Sequence, residues 1–137
     1  LSNGHQTISR GNEHIIIAGM ENDGNGDERN PQLGNIQLAL WGVNRDEFVI
    51  MLEHDPRSWR NTILPHSHTQ LTLSGHTHAM QLALLGWSPV SLFYKEAWGL
   101  YRFGQRAIYV SKGLGGVIPF RLGTPGEIVV ITLRKGN

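Results

Sequence analysis

Two short apolar runs in this chain each end in histidine, and that arrangement constrains the fold more than any other feature. Phe48-Val49-Ile50-Met51-Leu52 runs into Glu53-His54, and Leu71-Thr72-Leu73 runs into Ser74-Gly75-His76-Thr77-His78. A continuous apolar run of this length reads as a strand covered on both faces, the pattern of a parallel sheet. Histidine just past such a strand stands in the loop at the sheet's edge, and neutral imidazole is the commonest side-chain metal ligand. His76 and His78 lie at i and i+2 behind Gly75. The backbone freedom of that glycine is expected to let both imidazoles converge on one small volume.

Around these runs the chain reads as a single domain over residues 1–137, a mixed α/β (α+β) unit dominated by strands. Gln6–Ser9 and His14–Ala18 flank turn residues and predict a hairpin. Glu21–Pro31 is polar and rich in glycine and asparagine, which predicts a mobile loop. Leu33, Ile36 and Leu40 recur at helical spacing, so a short amphipathic helix is expected from Pro31 to about Trp41. Asp55-Pro56 has the form of an N-cap followed by proline at the first helical position. Trp59 and Ile63 would share that helix's buried face, and Pro65 would close it. Residues 79–98 are apolar but irregular and predict a packed excursion. Leu100–Phe103 and Ala107–Val110 predict a second hairpin, Gly113–Pro125 a glycine-rich loop, and Glu127–Leu133 a final strand.

Charge and composition exclude several function classes. Lys and Arg total 12 against 11 acidic residues, with no dense basic stretch, so nucleic acid is not a favoured partner. There is no cysteine, which removes disulfide frameworks and thiolate zinc sites. The longest apolar run falls far short of the ~20 residues that a membrane helix needs. The chain opens on Leu1-Ser2-Asn3-Gly4 rather than on methionine, as the interior of something longer would.

Strand-His-x-Pro, then a helix, then strand-Gly-His-x-His is a combination that resembles the last two motifs of the calcineurin-like metallophosphoesterases, bacterial branch. Gln81 matches a glutamine that often follows the second motif. Tyr109–Gly115, Pro119-Phe120-Arg121 and Glu127–Leu133 resemble the closing strands, so the likeness covers about Ile15 to Leu133. Ala79-Met80 departs from the two glycines common there, and Glu53 from a frequent serine. The resemblance implies a β-sandwich flanked by helices, of which this chain is the strand-dominated C-terminal half. It also implies a binuclear centre of manganese, iron, zinc or magnesium. Carried over by motif, His54 and His76 would ligate one metal and His78 the other. The reaction implied is hydrolysis of a phosphate mono- or diester by metal-bound hydroxide, with the two ions ~3.5–4 Å apart.

That chemistry also requires carboxylates, which the family draws from Asp-x-His, Gly-Asp-x-x-Asp and Gly-Asn-His motifs further toward the N-terminus. This chain has no Asp-x-His. Gly26-Asp27-Glu28-Arg29-Asn30 and Gly11-Asn12-Glu13-His14 imitate the other two but read more simply as turns. The expectation is an imidazole half-site that holds metal weakly or partially and does not turn over alone. Its missing partner would be the N-terminal half of the domain. A cut half-sandwich would expose apolar surface and self-associate.

Other readings remain open on the sequence alone. The chain could be a non-catalytic His-rich metal-binding or interaction module, closed by a fourth ligand such as Asp55 or His14. In a purely structural reading the histidines only pack. Arg121 could contact a substrate phosphate as a bidentate donor, or be a surface arginine after a turn. His66-Ser67-His68 is expected to be a solvated surface pair. The excursion with Trp87, Phe93, Tyr94 and Trp98 could accept a lipid-linked substrate or simply pack. A longer parent could be membrane-associated, with this piece soluble.

Overall fold

Gly11 and Gly104, both at φ 60, each open a two-residue turn that no Cβ-bearing residue would adopt without cost. Each turn folds a hairpin: β1 (Gly4–Arg10) on β2 (Glu13–Gly19), closed by Arg10 opposite Glu13, and β7 (Gly99–Phe103) on β8 (Arg106–Val110), closed by Phe103 opposite Arg106. Between the hairpins lie the two apolar runs, β5 (Val49–Leu52) and β6 (Leu71–Ser74). The result is a six-stranded sheet in the order β1-β2-β5-β6-β8-β7. Its four inner strands are parallel and the outer pairings antiparallel. The computed structural model describes residues 1–135, with residues 25–27 and 30 described by their backbone alone.

Strand alternation divides the apolar residues between two faces. Ile16, Ala18, Met51, Val49, Ile108 and Val110 point to the face that carries the helices, where Ile36, Ala39, Trp59 and Ile63 complete the core. Trp59 and Ile63 are fully buried, as their spacing predicts. The opposite face is apolar as well. The register aligns Ile17, Ile50 and Leu71 in one row and Leu52, Leu73 and Tyr109 in another. Of these only Ile50 is buried; Leu52 stays 39% exposed. One face is thus sealed and the other half open.

Several elements differ from their sequence expectation. The polar stretch from Glu21 to Pro31 is not simply loop: β3 (Asp23–Asp27) and β4 (Asn30–Gln32) pair in a small separate sheet. Asp23 anchors it by accepting from Gln32 at 2.7 Å and from the Thr62 hydroxyl. Helix α1 covers only Ile36–Ala39, because the Asn35 side chain caps the Leu38 N–H at 2.9 Å and so fixes a later start. Gly42 at φ 82 then turns the chain away.

Helix α2 opens as a π-helical turn over Trp59–Ile63 and continues α-helically over Leu64–His66. Pro65 does not close it at its own position. In a regular α-helix its ring would abut the carbonyl four residues back. Here the Leu64 N–H reaches the Trp59 carbonyl instead, and the widened turn makes room. The C-terminal end is capped from another element. Arg106, at the start of β8, donates to the carbonyls of Ile63, Leu64 and Thr69 at 2.9, 2.7 and 2.7 Å.

Beyond β6 the excursion is irregular as expected, with single 3-10 turns at His78–Gln81 and Pro89–Leu92. Glu127–Leu133 forms no ladder. The outer edges of β1 and β7 stay unpaired, yet the segment joins neither, and Ile128 and Val130 are 78% and 86% exposed. It is held at its ends, by Glu127 accepting from the Lys112 N–H at 2.8 Å and by Lys135 against Glu13.

Candidate metal centre

The four parallel strands all point the same way, so β5 and β6 release His54 and His76 side by side at their carboxyl ends, the usual location of a site in a parallel sheet. His76 Nδ1 lies 3.1 Å from His54 Nε2, and the rings meet edge to face with centroids 4.9 Å apart. Both imidazoles are open to solvent. Nitrogens at that separation are spaced like two ligands of one small divalent ion with bonds of about 2.0–2.1 Å. Desolvation draws the His76 imidazole below its ordinary pKa, and His54, Arg57 and His78 add to this against the pull of Asp55. A ring held neutral keeps a lone pair available. The donor set therefore fits a divalent cation at this pair.

His78 does not join them. Its Nδ1 faces the Lys112 carbonyl at 3.1 Å. Among the described residues, no group of three ligating side chains converges on one point. Gly75 does not bring the two imidazoles together, contrary to expectation, and it is not left-handed itself. His76 at φ 66, His78 at 47, Ala79 at 50 and Met80 at 48 are themselves left-handed. Ala79-Met80 is the pair that replaces two glycines of the resembling motif, so side chains with Cβ atoms occupy positions suited to glycine. Surrounding bonds impose this backbone: the Thr77 hydroxyl donates to the Ala97 carbonyl at 2.7 Å and the Ser88 hydroxyl to the Ala79 carbonyl at 2.8 Å.

Charged groups surround the pair. Burial alone would raise the Asp55 carboxyl, but hydrogen bonds from the Arg57 side chain and backbone outweigh it and hold the pKa below the ordinary value. The Arg57 guanidinium also lies 5.1 Å above the Tyr94 ring, which sits 5.9 Å from His76. Glu53 is buried, and desolvation pushes its pKa up to about 7 despite the bond from the Asp55 N–H. Its Oε2 is buried without a partner. Tyr94 was invisible to motif reading because an irregular excursion brings it back to His76. Glu53 carried one signal, a carboxylate directly beside a histidine at a strand end.

The remaining candidates lie elsewhere. Arg121 aims its guanidinium at loop carbonyls, those of Lys112, Gly113 and Thr124 at 3.1, 3.2 and 3.2 Å and that of Gly115. His14 pairs with Glu47 at 3.1 Å at the opposite end of the sheet, so it offers no fourth ligand to His54 and His76. His66 closes α2 and is exposed as expected, whereas His68 is half-buried with Nε2 lacking a partner. A cleft of about 510 Å³ beside them, lined by Trp41, Val43 and Arg45, also sits at that far end.

Comparison with known proteins agrees with the motif reading. An uncharacterized metallophosphoesterase of Aquifex aeolicus is 34% identical over 130 residues, covering 92% of this chain and 48% of that protein. The uncharacterized metallophosphoesterase YkuE of Bacillus subtilis is 34% identical over 145 residues, covering 98% of this chain and 46% of its own length. This chain belongs to the metallophosphoesterase family. A transmembrane protein with metallophosphoesterase domain from Danio rerio is 31% identical over 143 residues, covering 98% of this chain and 32% of that protein. The metallophosphoesterase chain spans about half the length of the first two relatives. No family model matches it, and no solved structure does. No described helix is long and apolar enough to cross a membrane.

Proposed function

We propose that this chain carries the imidazole share of a binuclear phosphoesterase site, with His54 and His76 holding one divalent ion and His78 the other. The observation that carries this reading is the 3.1 Å approach of two solvent-open imidazoles at the ends of adjacent parallel strands. When bound, such ions lower the pKa of water and stabilise charge on phosphoryl oxygens. The chain's own groups bind and orient. The ion pair of Asp55 with Arg57 backs the His76 ring, and Tyr94 walls one side. Arg121 would reach a phosphate only by releasing loop carbonyls, so its fork serves substrate after that exchange.

The substrate class is a phosphate mono- or diester. Exposed Leu84, Leu85 and Phe93 on the neighbouring excursion support an apolar, lipid-linked arm. Relatives named as transmembrane proteins with metallophosphoesterase domain support a membrane-associated whole protein. The half-open sheet face supports association with the rest of a sandwich or with a second copy, which light scattering across concentration would register.

With the carboxylate motifs absent from the sequence, the 137-residue polypeptide is expected to bind zinc or manganese weakly. It is expected to hydrolyse p-nitrophenyl phosphate no faster than its His76→Ala variant. Metal-dependent turnover that the substitution abolishes would refute the half-site. A tight stoichiometric metal would favour the self-contained module instead.

A further inference from the structure

Gln81 is buried, and its carboxamide uses all of its hydrogen-bonding capacity on one loop. Oε1 accepts from the N–H groups of Val117 and Ile118 at 2.5 and 3.0 Å, and Nε2 donates to the carbonyls of Ile118 and Phe120, both at 2.7 Å. Its backbone carbonyl takes the Leu122 N–H at 2.9 Å. Among the described residues, no other side chain makes four hydrogen bonds between the left-handed turn after His78 and the glycine-rich segment. That segment begins at Lys112, whose carbonyl faces His78 Nδ1, and Arg121 braces the same carbonyl from within. A carbonyl oxygen can only accept, so Nδ1 must carry the proton and Nε2 keeps the lone pair.

We infer that Gln81 is a positioning residue: through the Val117–Phe120 segment it holds the Lys112 carbonyl against His78 and so fixes His78 as the Nδ1–H tautomer, with Nε2 left to ligate. This deepens the metal-site reading and rests on it for the role of His78. Orientation of a ligating imidazole by a carbonyl on its other nitrogen is a general device of metal sites. Gly116 supplies independent support. A Cβ there would come within 2.4–2.6 Å of the Gln81 carboxamide, so the loop approaches the clamp as closely as a glycine allows.

The test measures the His78 tautomer by nitrogen-15 correlation spectra of the metal-free 137-residue chain at alkaline pH, beside a titration with zinc alone. Wild type is expected to show Nδ1–H only. Gln81→Ala and Gly116→Ala are expected to give a tautomer mixture with folded spectra and about 10-fold weaker zinc binding. Gln81→Glu sets an acceptor oxygen against the Ile118 and Phe120 carbonyls and should disturb the tautomer at least as much as Gln81→Ala. Gly116→Ala leaves Gln81 in the sequence and presses on its carboxamide from the loop side, so it decides the matter if Gln81→Ala fails to fold. A wild-type Nε2–H tautomer, or unchanged tautomers in both folded variants, overturns the inference. Expected tautomers without zinc binding at His78 would instead overturn the metal reading and leave the clamp standing.

Discussion

Strand β6 is bracketed by two His-x-His strings that fare differently. His66-Ser67-His68 precedes it and His76-Thr77-His78 follows it. The first leaves a helix whose end Arg106 has already capped, and its backbone stays in ordinary regions. The second emerges at the carboxyl end of a parallel pair, where His54 faces it and the backbone turns left-handed at both histidines. The same string therefore has two meanings, set by which end of a parallel strand it occupies and by what the neighbouring strand delivers.

The largest effect should separate the two strings directly. His76→Ala is expected to weaken zinc binding by about 100-fold or more, beyond the 10–100-fold typical of outer-shell changes, while His66→Ala and His68→Ala leave it unchanged by calorimetric titration. Equal losses from both ends would break the contrast. Next comes Glu53. Folding raises its pKa from 4.5 to about 7, so the contribution of this group to stability is full below the lower value and is lost as pH rises through the upper. Glu53→Gln should remove that loss, worth up to about 3 kcal/mol above neutrality at 1.36 kcal/mol per unit. Urea midpoints at acid and alkaline pH should then converge.

At the other end of β6 the prediction is structural. Arg106→Met removes its bonds to the Leu64 and Thr69 carbonyls and leaves the Ile63 carbonyl to Ser67, and it should cost about 2 kcal/mol in urea unfolding without altering zinc affinity. A change in affinity would mean the two ends communicate. The smallest effect belongs to Met80. Glycine there relieves a left-handed Cβ worth about 1–2 kcal/mol, offset in part by unfolded-chain entropy. Met80→Gly should therefore raise the thermal midpoint modestly, and a fall would show that the side chain contributes packing.

The strands of the large sheet were legible because apolar runs and turn glycines are local signals. The histidines at the ends of β5 and β6 were legible for the same reason. Gly75 was misjudged because a left-handed backbone is imposed by distant partners, Ala97 and Ser88, that no short window contains. Glu127–Leu133 has strand composition but pairs with neither free edge of the sheet, and composition does not report which neighbour a segment will meet. Asp23 organised a small sheet from a stretch that looked like loop because its partner Thr62 lies on a different element. The loop carbonyls that hold Arg121 left no sign in the sequence, because Lys112, Gly113 and Thr124 meet it only once the glycine-rich segment has folded.

The parallel pairing of the inner strands also sets an order of events in folding. The two outer hairpins close across two residues each, whereas β2 to β5 and β5 to β6 must wait for crossovers that carry the helices. Nonlocal pairing of that kind forms late and slowly. The approach of His54 to His76 depends on β5 and β6 having found each other, so it should be among the last contacts made. A fluorescent or nuclear probe on either ring would serve as a clock for completion of the central sheet.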